Sequence, residues 1–204
     1  MITIVDYGLG NLLAFANVYK SLNRPVSIAA SASDLKGASK IILPGVGAFD
    51  YAINLLNQSG MRDTLDKMVL HDHVPVLGVC VGMQIMGSAS EEGNQPGLKW
   101  IDGQVKKFDA SALPHSIRLP HMGWNDVQPV MKNQLFEGLE QNARFYFLHS
   151  YYFSCIKNEN ILAVSNYGRS FSCAIHSDNI YGIQFHPEKS HHFGTQLLKN
   201  FLDL

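Results

Sequence analysis

The chain is 204 residues long, with 46% hydrophobic residues, 16% charged residues and a formal net charge of −1. That length supports a hydrophobic core without disulfide or metal staples, and a single domain over residues 1–204 is expected. The near-neutral balance, with no run of five like charges, excludes binding to nucleic acid or to anionic membranes by bulk electrostatics.

The low charged fraction leaves surface for a protein partner. The start carries no basic segment ahead of an apolar one, and the longest nearly apolar run, residues 74–83, is far short of the ~18 residues a membrane span needs. A cytoplasmic protein with no membrane attachment is expected. Cys80, Cys155 and Cys173 are odd in number and far apart, which suggests neither a disulfide framework nor a cysteine zinc site.

In chain order, residues 2–5 read as an opening strand. Leu12, Phe15, Ala16, Tyr19 and Leu22 follow at helical spacing, and Pro25 stops that helix. Further strands are expected at 25–29, 40–43 and 74–79, with two helices between the last pair, broken at Ser59-Gly60. This alternation is the pattern of βαβ units around a parallel sheet. From about Gly97 the runs read as strands separated by loops, at 98–108, 122–130, 144–153, 161–167, 171–176 and 180–185. The second half is thus strand-rich and partly antiparallel, and Phe193, Leu197, Leu198, Phe201 and Leu202 mark a closing helix.

The strongest chemical signal is Gly78-Val79-Cys80-Val81-Gly82, a G-x-C-x-G turn between an apolar strand and a helical stretch. Glycines at both flanks suit a nucleophile held in strained backbone against a neighbouring strand and helix. A thiol at a helix start is favoured as thiolate, and the Val81 N–H points where an oxyanion develops. The bland alternative is a buried structural cysteine in a tight turn. His186-Pro187-Glu188 directly follows the expected strand at 180–185. In extended chain, residues two apart share a side, so Glu188 can orient and charge the His186 imidazole. Taken with Cys80, the pair supplies the base and the orienter that a nucleophile needs.

Gly45, Val46 and Gly47 form a loop after the strand at 40–43, placed to add N–H donors to the same oxyanion hole. The loop lacks the Lys-Ser/Thr of a phosphate loop, and Tyr7-Gly8-Leu9-Gly10-Asn11 lacks dinucleotide-site spacing. The clusters His71-Asp72-His73 and His191-His192 have no third ligand at a recognised spacing, so they read as solvated surface and no metal is expected. No cofactor is expected either. Within the aromatic tract at 144–153, His149, Ser150 and Tyr151 are placed to line a pocket.

These residues together resemble the class I (triad) glutamine amidotransferase family, and more particularly the glutaminase subunits of imidazole glycerol phosphate synthase. The resemblance rests on the Cys80 and His186-Pro187-Glu188 motifs, on Asp6 to Asn11, on Leu43 to Phe49 and on Ser90 to Gly93. It extends through Pro120 to Asn125, Tyr146 to Tyr151 and Gln184 to Ser190, nearly the whole chain. It implies an α/β, flavodoxin-like fold with a mixed, mostly parallel sheet flanked by helices. It also implies Cys80 as nucleophile, His186 as general base and acid, and Glu188 as orienter. Gln84, His149, Ser150 and Tyr151 would bind L-glutamine, and Val81 with Gly45, Val46 and Gly47 would hold the oxyanion. Asn11, Trp124, Tyr151 and Lys189 would meet a (β/α)-barrel cyclase subunit in a heterodimer, which receives the ammonia for histidine biosynthesis. Val81, in place of the usual leucine, and Asn166, where an aspartate before Tyr-Gly is usual, also resemble a side branch of these subunits. That branch supplies ammonia for amidino-sugar synthesis in surface polysaccharide, and it stands as the alternative pathway.

Overall fold

The computed structural model describes residues 1–109, 111 and 118–204. Its first half is a succession of short buried strands and helices. Strand β1 (Ile2–Val5) is buried along its whole length and leads to helix α1 (Leu12–Ser21). The Asn11 side chain accepts from the Ala14 N–H at 3.2 Å, satisfying one of the donors that a helix start leaves free. Phe15, Ala16 and Tyr19 form the buried face of α1, which ends as Asn23 turns left-handed ahead of Pro25. Strand β2 (Val26–Ala29), strand β3 (Lys40–Leu43) and helix α2 (Phe49–Gln58) follow. After the expected break comes α3 (Arg62–Asp66), whose path continues through a wider turn at Lys67–His71 into strand β4 (Val76–Val79). Helix α4 (Val81–Gln84) begins after a single intervening residue, Cys80.

The second half contains β5 (Ala89–Ser90), β6 (Gly103–Lys107), β7 (His121–Asp126), β8 (Gln128–Pro129), β9 (Arg144–His149) and β10 (Tyr151–Cys155). Then come β11 (Ile161–Asn166), β12 (Ser170–Ser177), β13 (Ile180–Ile183) and helix α5 (His191–Asp203). The main sheet runs β2-β1-β3-β4-β13-β12-β10-β6-β5, with β11 and β8 paired beside β12. The first five strands in that order are mutually parallel, the doubly wound arrangement of flavodoxin-like folds. From β13 onward to β6 the pairing is antiparallel. Strands β7 and β9 form a separate two-stranded ribbon.

Three expected strands are divided in the structure. Of residues 98–108, only Gly103–Lys107 is strand. Leu98 and Trp100 instead donate backbone N–H groups to the carbonyls of Ile85 and Met86, at 2.8 and 2.9 Å, so this apolar segment closes the end of α4. The run at 144–153 breaks at Ser150, and its two halves enter different sheets. Burial alternates at Phe145, Phe147 and His149, then slips to the adjacent pair Tyr152 and Phe153. The run at 122–130 breaks at Val127, whose N–H reaches the Ala143 carbonyl at 2.9 Å.

The site follows from this topology. In open α/β sheets, ligands bind beyond the carboxyl ends of parallel strands. Here β3 delivers Gly45, β4 delivers Cys80, and β13 delivers His186, all at one end of the sheet.

Candidate active site

Cys80 sits at φ 55°, ψ −113°, a conformation that L-residues adopt only under constraint. The constraint is visible on both sides. The Cys80 N–H donates to the Ile183 carbonyl at 2.8 Å, and its carbonyl accepts from Met83 and Gln84, both at 3.1 Å. A Cβ at Gly78 would lie 2.6 Å from Met86 Cε, and one at Gly82 would lie 2.0 Å from the Leu43 carbonyl oxygen, so larger residues at either position collide. Helix α4 has only four residues, and its dipole is correspondingly weak. The His186 imidazole stands beside the thiol and is hydrogen-bonded to it.

His186 leaves the end of β13 and is pinned by its backbone. Its N–H donates to the Tyr146 carbonyl at 2.9 Å, while the buried Ser190 hydroxyl donates to the His186 carbonyl at 2.6 Å. The same hydroxyl accepts from the Tyr146 N–H at 3.0 Å, tying β9 to the end of β13. The expected pairing with Glu188 is present, but by a different route. Pro187–Lys189 is a 3₁₀ turn rather than extended chain, and it brings Glu188 Oε1 to 2.9 Å from His186 Nδ1. A Cβ at Gly194 would stand 1.8 Å from the Pro187 carbonyl oxygen, so glycine in α5 lets this turn seat.

The Glu188 side chain is only 2% exposed, and its Oε2 has no hydrogen-bond partner among the described residues. Burial works to lower the His186 pKa, but hydrogen bonds to Cys80 and Glu188 and the charges of both raise it well above the usual histidine value. With Nδ1 committed to Glu188, it is Nε2 that meets the thiol. This imidazole holds a proton at neutral pH, which a departing amine requires.

Cys80 opens onto a cavity of about 300 Å³. Val46, Gly47, Val81 and Gln84 line it, as do His149, Ser150, Tyr151, His186 and Lys189. Glu188 stands behind His186, and Gly45 is buried with its backbone against Gly82, so these two act on the cavity from its second layer. Asn11 caps α1 and Trp124 stacks on His191 at 5.2 Å, both outside the cavity. Lys189 lies 5.7 Å above the Tyr146 ring. Among the described residues, no group of three or more metal-ligating side chains gathers in one place, and no helix is long and apolar enough to cross a membrane.

Four residues not singled out from the sequence complete the cavity or its support. Glu92 lines the cavity and accepts the Phe49 N–H at 2.9 Å, while Asp50 in turn accepts the N–H groups of Asn94 and Gln95 at 2.9 and 3.0 Å. These reciprocal carboxylate contacts lock the 90–95 loop to the start of α2, next to the Gly47 loop. Gln184, fully buried, donates through Nε2 to Cys80 Sγ at 3.7 Å and accepts from Gln84 at 3.0 Å. Tyr7 donates to the Pro44 carbonyl at 2.6 Å and so holds the root of the glycine loop. Tyr7, Glu92 and Gln184 lie inside segments that carry the family resemblance and Asp50 directly follows one, but their roles depend on contacts made across the fold.

The family model for class I glutamine amidotransferase matches residues 4–204. The chain is 58% identical to the imidazole glycerol phosphate synthase subunit HisH of Bdellovibrio bacteriovorus and 52% identical to that of Leptospira borgpetersenii, over 100% of both chains in each case. A solved glutamine amidotransferase structure, 19% identical, superposes with a TM-score of 0.77 over 99% of this chain and 97% of that one, which supports the fold. Full-length similarity to HisH subunits does not favour the surface-polysaccharide alternative. The chain belongs to the class I glutamine amidotransferases, in their HisH branch.

Proposed function

We propose that this chain is the glutaminase subunit of an imidazole glycerol phosphate synthase, acting as one domain over residues 1–204 and working in the cytoplasm with a (β/α)-barrel cyclase subunit. The observation that carries the chemistry is the alignment of Cys80, His186 and Glu188 at the floor of a cavity large enough for one amino acid. The Cys80 thiolate attacks the side-chain amide carbon of L-glutamine, and the oxyanion forms toward the Val81 N–H and the Gly45, Val46 and Gly47 loop. His186 gives its proton to the departing nitrogen, releasing ammonia and leaving a γ-glutamyl thioester. It then takes a proton from water, whose oxygen attacks the thioester, and glutamate leaves as the thiolate is restored.

Gln84, His149, Ser150 and Tyr151 hold the substrate from the cavity wall. Glu92, a carboxylate in the same wall, matches the α-ammonium group of glutamine in charge. The partner face is argued from the β7–β9 ribbon. Met122 and Trp124 are 64% and 40% exposed, next to Leu148 on the paired strand, with Lys189 and Tyr151 at the cavity mouth beside them. Asn11, exposed at the start of α1, is proposed for the rim of that interface.

The test is glutamate release from L-glutamine by wild type and Cys80→Ser, alone and with a HisF-type subunit plus its ribulosyl nucleotide substrate. Strong stimulation that vanishes in Cys80→Ser is the expected result. Cys80-dependent hydrolysis that ignores this partner would assign another ammonia acceptor, and no hydrolysis under any condition would overturn the enzymatic reading.

A further inference from the structure

A hydrogen-bonded chain runs from the outer ribbon to the nucleophile, and its donors and acceptors can be assigned one by one. Tyr151 presents a carbonyl oxygen, which only accepts, and His149 Nδ1 lies 2.7 Å from it. His149 therefore carries its proton on Nδ1. Burial pushes its pKa down to about 3, so the ring is neutral and Nε2 is an acceptor. The donor to that nitrogen is His121 Nδ1, 2.9 Å away. Burial lowers the His121 pKa to about 4, so this ring is neutral too, and its Nε2 accepts from the Asn125 amide at 3.2 Å. The other Asn125 amide proton goes to the Asn166 carbonyl at 2.8 Å.

On its other side, the Tyr151 carbonyl also accepts from Gln84 Nε2 at 3.2 Å. The second proton of that amide goes to Gln184 Oε1 at 3.0 Å, and Gln184 Nε2 donates to Cys80 Sγ. Every link has one polarity. If His149 adopted the opposite tautomer, a lone pair would face the Tyr151 carbonyl and two N–H groups would face each other between the imidazoles.

We infer that His121 is a positioning residue for the reaction: it holds His149 in the Nδ1–H tautomer, and His149 fixes the Tyr151 carbonyl that anchors Gln84 and Gln184 beside Cys80. The inference rests on the glutaminase reading of the cavity. His121 does not line that cavity and acts only through His149. Its ring is held between Phe147, at 4.6 Å, and Tyr167, at 4.0 Å, which fixes the direction of its Nδ1. The strand that carries it alternates, with His121 and Asn125 turned inward and Met122 and Trp124 outward. The relay thus begins on the reverse side of the strand proposed to meet the partner.

Three chains test this in complex with the HisF-type subunit and its nucleotide substrate: wild type, His121→Phe and His121→Asn. Phenylalanine keeps a stacked ring without the donor, whereas the asparagine amide nitrogen sits as many bonds from the backbone as Nδ1 and keeps it. The expected result is a fall in kcat/KM of about tenfold or more for His121→Phe, the scale of a lost buried hydrogen bond, with His121→Asn within about threefold of wild type. In parallel, long-range ¹H–¹⁵N spectra of histidine-labelled full-length chain should show His149 as the neutral Nδ1–H tautomer in wild type. Full activity in His121→Phe, equal loss in both variants, or an Nε2–H tautomer for His149 in wild type would each overturn the inference. Absence of glutamine hydrolysis by wild type with its partner would overturn the glutaminase reading and the inference with it, an outcome distinct from an active wild type matched by His121→Phe.

Discussion

The backbone of Gly45 rests directly on that of Gly82, so closely that a Cβ on Gly45 would lie 2.4 Å from the Gly82 nitrogen. The loop after β3 and the elbow after β4 are thus one packed unit, and the oxyanion donors proposed for each are placed together. Backbone on both sides cannot move aside as a flexible side chain could. Gly45→Ala is expected to lower stability by ~1–3 kcal/mol, the usual cost of overpacking, and to reduce glutamine turnover by far more than the remaining folded fraction explains. Thermal melts paired with active-site titration of Cys80 check this, and a Gly45→Ala chain with wild-type turnover per folded molecule would refute it.

Glu188 illustrates a cost accepted for function. One oxygen of its buried carboxylate is bonded to His186 and the other has no partner among the described residues. Half-satisfied buried charges are poor contributors to stability. Glu188→Gln removes the charge at nearly constant shape and withdraws a partner that raises the His186 pKa, so Tm should fall modestly, while kcat falls by about 10²–10⁴-fold as His186 loses its orienter and its raised basicity. Wild-type kcat per folded molecule in Glu188→Gln would mean that Glu188 acts structurally.

The parallel half, and the strand ends that bring Cys80, His186 and Glu188 together, were legible in the sequence for a physical reason: buried parallel strands are continuous apolar runs, and Pro25, Gly45 and Cys80 punctuate their ends. What failed was assignment by extended runs alone. Residues 144–153 read as one unbroken run, and nothing in the residue pattern marks the bend at Ser150 where the chain changes sheet. Leu98, Trp100 and Ile101 are as apolar as a strand, but they cap α4. The relay was also out of reach, since His121 and His149 are 28 positions apart and meet only because β7 pairs with β9. Glu92 likewise acquires its place only when it meets the start of α2.

The two buried neutral imidazoles make stability acid-sensitive. His121 and His149 have folded-state pKa values of about 4 and about 3, below the ordinary 6.5, so the unfolded chain binds protons that the folded chain refuses. Their contribution is fully present above pH 6.5 and is lost progressively as pH falls toward 4 and then 3. His186 has the opposite sign, since its raised pKa gives stability that is present at low pH and fades as pH rises. Wild type should therefore lose Tm between pH 6.5 and 5, and His121→Asn, with one fewer refused proton, should lose less over the same interval. An unchanged slope in the variant would place the acid sensitivity elsewhere.

The exposed face of the ribbon carries the last prediction. Met122 and Trp124 alternate with the inward His121 and Asn125, and Trp124 is stacked flat on His191 with an interplanar angle of 8°, a rigid aromatic on the surface rather than a loose one. Large, ordered aromatic and methionine side chains are the residues that dominate protein interfaces, where truncating a central tryptophan costs ~2 kcal/mol or more. Trp124→Ala and Met122→Glu are therefore expected to weaken binding of the HisF-type subunit by about tenfold or more, read by calorimetric titration. Ile156→Glu serves as the control, because Ile156 is 73% exposed and follows the far end of β10 from the cavity. Its affinity should stay within about twofold of wild type, the range expected for a surface change outside the interface. If Ile156→Glu weakened binding while Trp124→Ala did not, the partner would dock on the opposite end of the sheet, and the position of the relay behind β7 would have no bearing on assembly.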